Sequence, residues 1–316
     1  MHSQRLLVPA NHENFDEAAY LRANPDVAAA VKDGSTPSGR AHFEAFGLSE
    51  RRKIRLKPDH AVRTHKLDRV RPLLSVPPQA GASADLIDTL TPELRDAFRI
   101  IDTDNVSAHE YDARACELIR RHADGLVLDC GAGLRNTYYG HVVNYEIVDY
   151  DTTDVLGVAE CLPFADASFD AVLSLNVLEH VKDPFRAADE IRRVLKPGGE
   201  LLCCVPFLQP LHGYPHHYYN MTHQGLLNLF EGMVGRHIDV YGATRPMWAL
   251  SWMLQGYERG LPEAERARFR GLTVAELMQD PRTWEADPIV MHLSREANLE
   301  LAAGCVLSAR KPVQSS

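Results

Sequence analysis

Apolar and polar positions alternate in long blocks from Gly125 towards the carboxyl end of the chain. Strand-like apolar runs occur in LVLDCG, YEIVDY, DVLGVAE, FDAVLSL and ELLCCVPF, and a helix-like run, DPFRAADEIRRVLKPGG, separates the last two. Such alternation is typical of repeated strand–helix units, so it predicts an α/β fold with a doubly wound, mostly parallel sheet covered on both faces. LAAGCVLSARKP predicts a last strand.

The amino-terminal part of the chain has a different pattern, which predicts a small all-α module over residues 14–56. NFDEAAYLRANPDVAAAVKDG and RAHFEAFGLSERRKIRL both have apolar residues at helical spacing. Asn14 or Asp16 is placed to cap the first helix, and Gly34 is placed to end it. Residues 57–84 contain prolines that disfavour regular structure, so this stretch is predicted to be a linker.

The remaining residues, 85–316, are predicted to form one large domain. Helices are expected around 84–99 and in HEYDARACELIRRHADG, which leads into the first strand. A helical insert is expected at about 246–285, in and beyond MWALSWMLQGYERGL. Trp248 and Trp252 lie at helical spacing there, which suits either the core or a cap over an apolar ligand.

Charge and composition narrow the classes of partner. The 316-residue chain has a formal net charge of -9 and a pI near 5.9. Nucleic-acid binding needs clustered Lys and Arg, so DNA, RNA and anionic membranes are not expected as partners. The sequence has no signal-peptide pattern and no apolar run near the roughly 20 residues that span a bilayer, and its six cysteines form no CxxC pair. A cytoplasmic protein with reduced thiols is therefore expected.

Polar residues and glycines stand at four predicted strand ends, where ligands bind in open sheets of this kind. The first strand ends in Asp129 and the turn CGAG, whose glycines let the backbone approach a ligand closely. The second ends in Asp149, at about the distance expected for an acid that holds two ribose hydroxyls. The third leads to Ala159 and Glu160, and the fourth opens at Asn176.

Five ordered segments, VLDCGAGLR, EIVDY, AECLPF, SFDAVLSLNVLEH and RVLKPGG, resemble motifs of the class I S-adenosylmethionine-dependent methyltransferases. The resemblance implies a Rossmann-like sheet of seven strands with the last strand antiparallel. It also implies methyl transfer as the activity and S-adenosyl-L-methionine as the cofactor. The cofactor contacts that it implies, mostly through backbone atoms, are Asp129, Gly131, Ala132, Gly133, Asp149, Ala159, Glu160 and Asn176.

Two positions depart from the pattern of that family. Arg135 stands in place of a third glycine, and Val158 stands where relatives often have an Asp that accepts from the adenine amino group. A glycine turn after a strand also occurs in two other kinds of ligand site. A dinucleotide-binding turn would need GxGxxG and a full helix, and a phosphate-cradling loop would need GK followed by Ser or Thr. Neither pattern follows Asp129.

The segment after the fifth predicted strand, VPFLQPLHGYPHHYYNMTHQGL, is rich in histidine and tyrosine. Methyl transfer to a hydroxyl group needs a base, and an unperturbed imidazole titrates near neutral pH. His216 is the favoured base because it follows Pro215 and lies in the middle of the loop; His212 and His217 are the alternatives. All three could instead hydrogen-bond the loop together. No Cys pair or HExxH motif supports zinc, so no metal is predicted.

The acceptor is predicted only as a class, namely a hydroxyl group of a glycan, a lipid or a small metabolite. YLRANPDVAAAV and HFEAFGLSERR resemble a short helical module of bacterial surface-associated and glycosyltransferase-linked proteins. That resemblance implies glycan chemistry and a protein partner bound through the amino-terminal module. The alternative hypothesis is a noncatalytic S-adenosylmethionine-binding or scaffolding protein of the same fold, which the departures at Arg135 and Val158 leave open.

Overall fold

The computed structural model describes residues 3–81, 83–101, 107–213 and 216–305. They divide into two compact units. The first contains the described residues up to 205 together with 216–219 and 224–233, and the second contains 206–213, 220–223 and 234–305. None of the helices in the described residues is long and apolar enough to cross a membrane.

A six-stranded parallel sheet forms the centre of the first unit. The strands are β4 (Ile87–Asp88), β5 (Val127–Cys130), β7 (Val142–Glu146), β8 (Val155–Leu156), β9 (Phe169–Leu175) and β10 (Leu195–Cys204). Their order across the sheet is β10-β9-β5-β7-β8-β4, so the order reverses beside β5. This arrangement confirms the predicted doubly wound α/β fold, and it makes the carboxyl end of β5 the place to look for a ligand site.

The apolar runs form strands because the interior of the sheet is buried. Val127 of β5 lies opposite Val142 on one side and Ala171 on the other, and all three side chains are buried. Helix α6 (Ala113–Arg121) packs against this layer through Leu118 and Ile119. The sheet therefore needs near-continuous apolar runs rather than alternating ones, which is the pattern seen in the sequence.

The ends of the predicted sheet differ from expectation. The expected seventh, antiparallel strand falls mostly in residues 306–316, which lie outside the described residues, and residues 301–305 contain no strand. The helix predicted around 84–99 is wrong in its first part, because Ile87–Asp88 is strand β4. Helix α5 (Pro92–Phe98) begins later, where the Thr91 side chain accepts from Leu94 N at 3.3 Å.

Helix α7 (Pro184–Val194) begins where the sequence predicted a helix between the last two strands. The Asp183 side chain caps it by accepting from Arg186 N at 3.0 Å, and Pro184 occupies the first turn, where a missing N–H costs nothing. Ala187, Ala188 and Ile191 bury one face of the helix. Helix α8 (His223–Leu229) follows β10.

The amino-terminal region contains strands as well as the predicted helices. The helices are α1 (Glu17–Ala23), α2 (Pro25–Lys32) and α3 (Gly39–His42), and a π-helical turn, Phe43–Gly47, follows them. The strands are β1 (Ser3–Arg5), β2 (Leu7–Pro9) and β3 (Lys53–Arg55); β2 pairs with β3, and β1 pairs with β6 (Thr137–Tyr139).

Buried aromatic and aliphatic side chains stabilise this region. Tyr20, Phe43 and Ile54 form its core, and the ring centroids of Tyr20 and Phe43 lie 5.7 Å apart in an edge-to-face arrangement. Asp16 caps α1 by accepting from Ala19 N at 2.7 Å. Of the two predicted capping residues, the structure therefore selects Asp16.

The prediction that residues 57–84 lack regular structure is wrong for helix α4 (His60–Val70). Lys66, near its middle, is fully buried and donates to Asp154 Oδ2 at 2.7 Å and to Val142 O at 2.6 Å. The same ammonium group lies 3.6 Å from the centre of the Tyr138 ring, and the Tyr138 hydroxyl donates to Asp154. Burial lowers the pKa of Lys66 to about 8.

The second unit is helical in its described part. It contains α9 (Pro246–Gly260), α10 (Glu263–Gly271), α11 (Val274–Leu277), α12 (Pro288–Met291) and α13 (Arg295–Glu300). Leu261, Phe269 and Ile289 form its core. The helices thus extend beyond the predicted limit of about 285. Trp248 and Trp252 contact each other on α9, and Trp248 remains 49% exposed, so this tryptophan is not part of a core.

The buried Lys66–Asp154 pair predicts a large effect of one substitution. Lys66→Met removes the cation and leaves the Asp154 carboxylate buried with only neutral donors and the more distant Arg63, 3.8 Å away. We expect the free energy of unfolding, measured by urea denaturation, to fall by about 3–5 kcal/mol. Lys53→Met, at an exposed site, is the control and should change it by less than about 0.5 kcal/mol. Equal effects of the two substitutions would contradict the prediction.

Candidate functional site

The turn that follows β5 requires glycine at two positions. Gly131 and Gly133 have φ angles of 77° and 63°, in the left-handed region that glycine adopts without strain. A Cβ atom on Gly131 would lie 2.4 Å from Val177 Cγ2, and one on Gly133 would lie 2.5 Å from the Ser107 carbonyl oxygen. The glycines predicted from CGAG therefore allow neighbouring segments to approach the turn closely.

The amide groups of this turn are bonded to strand β7. Gly131 N and Ala132 N both donate to Tyr145 O, at 2.9 and 3.0 Å. Gly133 N donates to the Glu146 carboxylate at 2.7 Å. The turn and the end of β7 are therefore held as one structure.

Asp129, at the end of β5, is fully buried and bonded through both of its carboxylate oxygens. Arg135 Nε donates to Oδ2 at 2.8 Å and Arg135 Nη2 to Oδ1 at 3.0 Å, and the Tyr111 hydroxyl donates to Oδ2 at 2.6 Å. The guanidinium carbon also lies 4.2 Å from the centre of the Tyr111 ring. The buried carboxylate holds the pKa of Arg135 above its usual range against the effect of burial. The arginine that replaces the third glycine thus neutralises the acid at the strand end.

Residues 107–111 cross the glycine turn. Leu134 N donates to Ser107 O at 2.7 Å, and Arg135 Nη1 donates to His109 O at 3.3 Å. Together with the Tyr111 hydroxyl bond, these contacts fix the segment at both ends. Nothing in the sequence pattern marks this segment as part of the site.

The acid at the end of β7 is Glu146, and the prediction that this strand ends in Asp149 is wrong. The Glu146 carboxylate accepts from Gly133 N and from Ile147 N, both at 2.7 Å, and burial raises its pKa. Asp149 lies three residues further along and is exposed. Burial of part of its carboxyl also raises the pKa of Asp149. Of the two acids, only Glu146 contacts the glycine turn among the described residues.

The turn after β8 contains the third group of predicted residues. Ala159 and Glu160 lie in a short 3-10 helix, Ala159–Cys161, and both are buried. The Glu160 carboxylate accepts from Lys182 N at 2.9 Å, so it supports the segment that leads into α7. Val158 packs with Leu90 and Leu156 in a small apolar cluster. The Glu160 side chain therefore has a structural role here.

Asn176 follows β9 directly and has a φ angle of 56°. Its N–H donates to Cys204 O at 2.9 Å, which joins it to β10. The next residue, Val177, is the one whose side chain lies against Gly131. The structure therefore brings the ends of β5, β7 and β9 together, as predicted for a site at this edge of the sheet.

Three imidazoles gather in the first unit beyond β9. His180 Nδ1 lies 2.7 Å from His216 O, and the His180 and His217 rings meet edge to face with centroids 5.4 Å apart. His216 Nε2 lies 3.0 Å from Arg99 O. Because a carbonyl oxygen only accepts, these contacts assign the proton to Nε2 in neutral His216 and leave Nδ1 as its acceptor nitrogen.

Two tyrosines beside these histidines are tied to the same segment. Tyr218 N and Tyr219 N donate to Glu179 O, at 2.7 and 3.2 Å. The Tyr218 hydroxyl is buried and has no hydrogen-bond partner within the part of the chain that the structure describes. A buried hydroxyl of this kind is a candidate contact for a ligand.

His212, the third predicted histidine, belongs to the second unit, where its Nδ1 lies 3.0 Å from Pro210 O. Pro215, which precedes the favoured base His216, lies outside the described residues.

The sequence did not indicate two parts of the site, namely Glu146 and the 107–111 segment that ends in Tyr111. Only Glu146 left a signal, because it stands within the predicted strand YEIVDY.

Residues 128–203 match the family model described as a methyltransferase domain. An uncharacterized methyltransferase of Mycobacterium sp. (strain KMS) is 50% identical over 54 residues, which are 17% of this chain and 21% of the relative. An uncharacterized protein of Methanocaldococcus jannaschii is 36% identical over 94 residues, 26% of this chain and 41% of that protein. The matches confirm the predicted resemblance to the class I S-adenosylmethionine-dependent methyltransferases, and the chain spans less than half the length of either relative.

Solved structures give more distant matches. A SAM-dependent methyltransferase of Thermotoga maritima is 22% identical, with 34% of this chain and 61% of that chain covered and a TM-score of 0.27. Phosphoethanolamine N-methyltransferase 2 of Haemonchus contortus, in complex with S-adenosyl-L-methionine, is 17% identical, with 56% of this chain and 46% of that chain covered and a TM-score of 0.32. Scores of this size do not establish a shared fold.

The Asp129–Arg135 pair predicts that Arg135 is needed for stability. Arg135→Leu leaves a fully buried carboxylate for which the Tyr111 hydroxyl is the only donor among the described residues, so the free energy of unfolding should fall by about 3–5 kcal/mol in urea denaturation. Arg120→Leu is the control, because Arg120 pairs with Glu117 on the surface, and it should cost less than about 1 kcal/mol. If Arg135→Leu is as mild as its control, Arg135 does not neutralise Asp129 in solution.

Proposed function

We propose that this chain is an S-adenosylmethionine-dependent methyltransferase that acts on a hydroxyl group. The observation that carries the proposal is the match of residues 128–203 to the methyltransferase model, since these residues include the glycine turn and the strand ends described above. In open sheets of this kind ligands bind at the carboxyl ends of the strands, so this segment contains the part of the fold that would bind the methyl donor. The activity of the whole chain goes beyond that segment and is part of the proposal.

The residues present fit the cofactor at the edge of the sheet near β5. When bound, S-adenosyl-L-methionine supplies a methyl group on a positively charged sulfur. Gly131, Ala132 and Gly133 would line the pocket for its methionine end rather than donate to it, because their N–H groups are already bonded to β7. Asn176 and Ala159 would line the same crevice, as the resemblance implies. The Asp129 carboxylate is neutralised by Arg135, so it would act by fixing the turn.

We propose Glu146 as the acid that holds the ribose hydroxyls. It stands at the end of β7, contacts Gly133 N and is partly buried, so a hydrogen bond to a hydroxyl there is little screened by water. Asp149 is the competing residue, and its position in the turn after β7 keeps it a candidate. Glu160, whose carboxylate is bonded to the segment that leads into α7 and not to the glycine turn, would contribute backbone rather than side-chain contacts.

For the acceptor, we propose that His216 removes the hydroxyl proton. Its Nε2 is held by Arg99 O, which leaves Nδ1 as the nitrogen able to accept a proton. The enzyme's remaining task is to align the acceptor oxygen with the methyl group, and the unpartnered Tyr218 hydroxyl is suited to hold the acceptor. His217 and His212 are the alternatives for the base. A glycan, a lipid or a small metabolite would each supply a suitable hydroxyl.

A noncatalytic binding or scaffolding role is the second candidate, and the glycine turn favours it. The turn amides already have partners within the protein, and residues 107–111 cross the turn. Incubation with methyl-labelled cofactor and cell extract separates the two functions. Protein-dependent label in a glycan, lipid or small-molecule fraction supports the enzyme. Binding of S-adenosylhomocysteine without any transfer supports the noncatalytic binding role, and neither binding nor transfer supports the scaffold.

The ribose assignment predicts a difference between two conservative substitutions. Glu146→Gln should weaken S-adenosylhomocysteine binding in isothermal titration by about 10- to 100-fold, because it removes charge-assisted hydrogen bonds. Asp149→Asn is the matched control and should change the affinity by less than about threefold. The reverse ranking would restore Asp149 as the acid, and no binding by the folded wild-type protein at millimolar ligand would exclude the function itself.

The pH dependence of binding provides an independent check on Glu146. Its pKa is raised, so the carboxylate becomes protonated at a higher pH than an ordinary glutamate. Since the ionised form is the better acceptor, affinity should be full above this raised pKa and fall as the pH drops through it. Glu146→Gln should flatten the profile, and a profile unchanged by that substitution would assign the titration to another group.

The base assignment predicts that His216→Ala slows turnover by about 100-fold or more with nearly unchanged S-adenosylhomocysteine affinity. The wild-type rate should rise with pH as the base loses its proton. His223→Ala, in the same stretch of sequence, is the control and should retain most of the activity. Should His216→Ala weaken cofactor binding as much as turnover, the loop contacts the cofactor; should it change neither, His217 and His212 are the next substitutions.

A further inference from the structure

Arg55 is a buried arginine whose hydrogen bonding is incomplete. The residue is 9% exposed; Nη2 donates to Asn136 Oδ1 at 2.8 Å, whereas Nη1 is buried and has no partner in the described residues. A buried donor without an acceptor is unfavourable, and more so when it is charged. The burial also lowers the pKa of Arg55. An unpaired guanidinium nitrogen of this kind points to an acceptor that the protein itself does not provide.

Three further cations belong to the same part of the protein, one bound to the Arg55 backbone and two beside Asp151. Arg22 donates to the Arg55 carbonyl oxygen through Nε and Nη2, at 3.3 and 3.1 Å. Lys57 follows two residues later in the chain, and Arg63 of α4 donates to Asp151 O. We call these four cations together with Asp151 the Arg55 cluster.

The carboxylates near this cluster do not balance its charge. Asp151 lies 3.7 Å from Arg22 Nε and 3.6 Å from Lys57 Nζ, too far for hydrogen bonds in either case. Asp154 is bonded to Lys66 and lies 3.8 Å from Arg63 Nε. Glu110 is bonded to Arg5, and Asp149 near Arg63 is exposed. The cluster therefore has more positive than negative charge, although the whole chain is acidic.

We propose that the Arg55 cluster is an anion-binding site that takes a phosphoryl or carboxylate group between Arg22, Arg55 and Lys57. A guanidinium group matches the paired oxygens of either anion, and Lys57 adds a mobile charge. The Lys57 side chain is 66% exposed, so the site opens to solvent on that side. Because Arg55 Nη1 is itself buried, an anion reaches it only if Lys57 and Asp151 move apart on binding.

The site joins two parts of the first unit. Arg22, Arg55 and Lys57 come from the amino-terminal region, whereas Asp151 lies in the turn between β7 and β8, five residues after Glu146. An anion held there draws the amino-terminal region and this turn together. The inference goes beyond the proposed function and does not depend on it, since no cofactor or acceptor takes part.

The test is binding of inorganic phosphate to the full chain without cofactor, at constant ionic strength set with chloride. We expect saturable binding in isothermal titration and a rise in melting temperature. Arg55→Met should weaken phosphate binding at least tenfold. It should also leave the protein folded, because replacing an unsatisfied buried charge with an apolar side chain is often neutral or stabilising. The control is Arg52→Met, whose guanidinium is already bonded to Asp26 and Glu50, and it should bind phosphate as the wild type does.

A second variant tests the charge argument. Asp151→Asn removes the carboxylate that competes with the anion, so it should strengthen phosphate binding several-fold. Citrate replaces phosphate in a parallel titration; tighter binding of citrate would assign the site to carboxylates, and tighter binding of phosphate to phosphoryl groups. Absence of saturable binding of both anions, or equal affinity of the wild type and Arg55→Met, would overturn the proposal.

Discussion

The carboxylate of Asp129 is buried at the end of a strand, so it needs a positively charged partner. The arrangement of this edge of the sheet depends on how that partner reaches it. The neutralising group is Arg135, which reaches back across the turn and binds both carboxylate oxygens. That reach requires a turn compact enough for Arg135 to face Asp129, and Gly131 and Gly133 permit it. Tyr111 completes the arrangement, so the path of residues 107–111 follows from the same buried charge.

The sequence predicts Asp129 and the two glycines well, because an apolar run that stops at an acid and a glycine turn locates a strand end. It predicts the next strand end poorly. Ile147 and Val148 continue the apolar run after Glu146, so the pattern does not show where β7 stops. Its pairing with β8 decides this, since the last paired residue of β7 is Glu146, which lies opposite Leu156. Pairing between strands depends on residues far apart in the sequence, so the local pattern favours Asp149 over Glu146 as the end of the strand.

Helix α4 was missed for a related reason. HAVRTHKLDRV is polar, and prolines stand before and after it, so it has the composition of a linker. What stabilises the helix is the contact of Lys66 with Asp154, 88 residues later in the sequence, and with the Tyr138 ring. No local periodicity can indicate a buried lysine whose partner is so distant. Arg55 escapes prediction in the same way, because its burial depends on Asn136.

The backbone at Asn176 affects how alignments of related sequences should be interpreted. Its positive φ angle lies in a region that glycine, asparagine and aspartate tolerate and that β-branched residues avoid. Evolutionary drift at this position is therefore restricted to a few residue types whether or not the side chain touches a ligand. An asparagine that is invariant in an alignment would therefore reflect the backbone conformation at this position, even if its side chain touches no ligand. Comparing Asn176→Gly with Asn176→Asp variants would separate the backbone requirement from the chemistry of the amide.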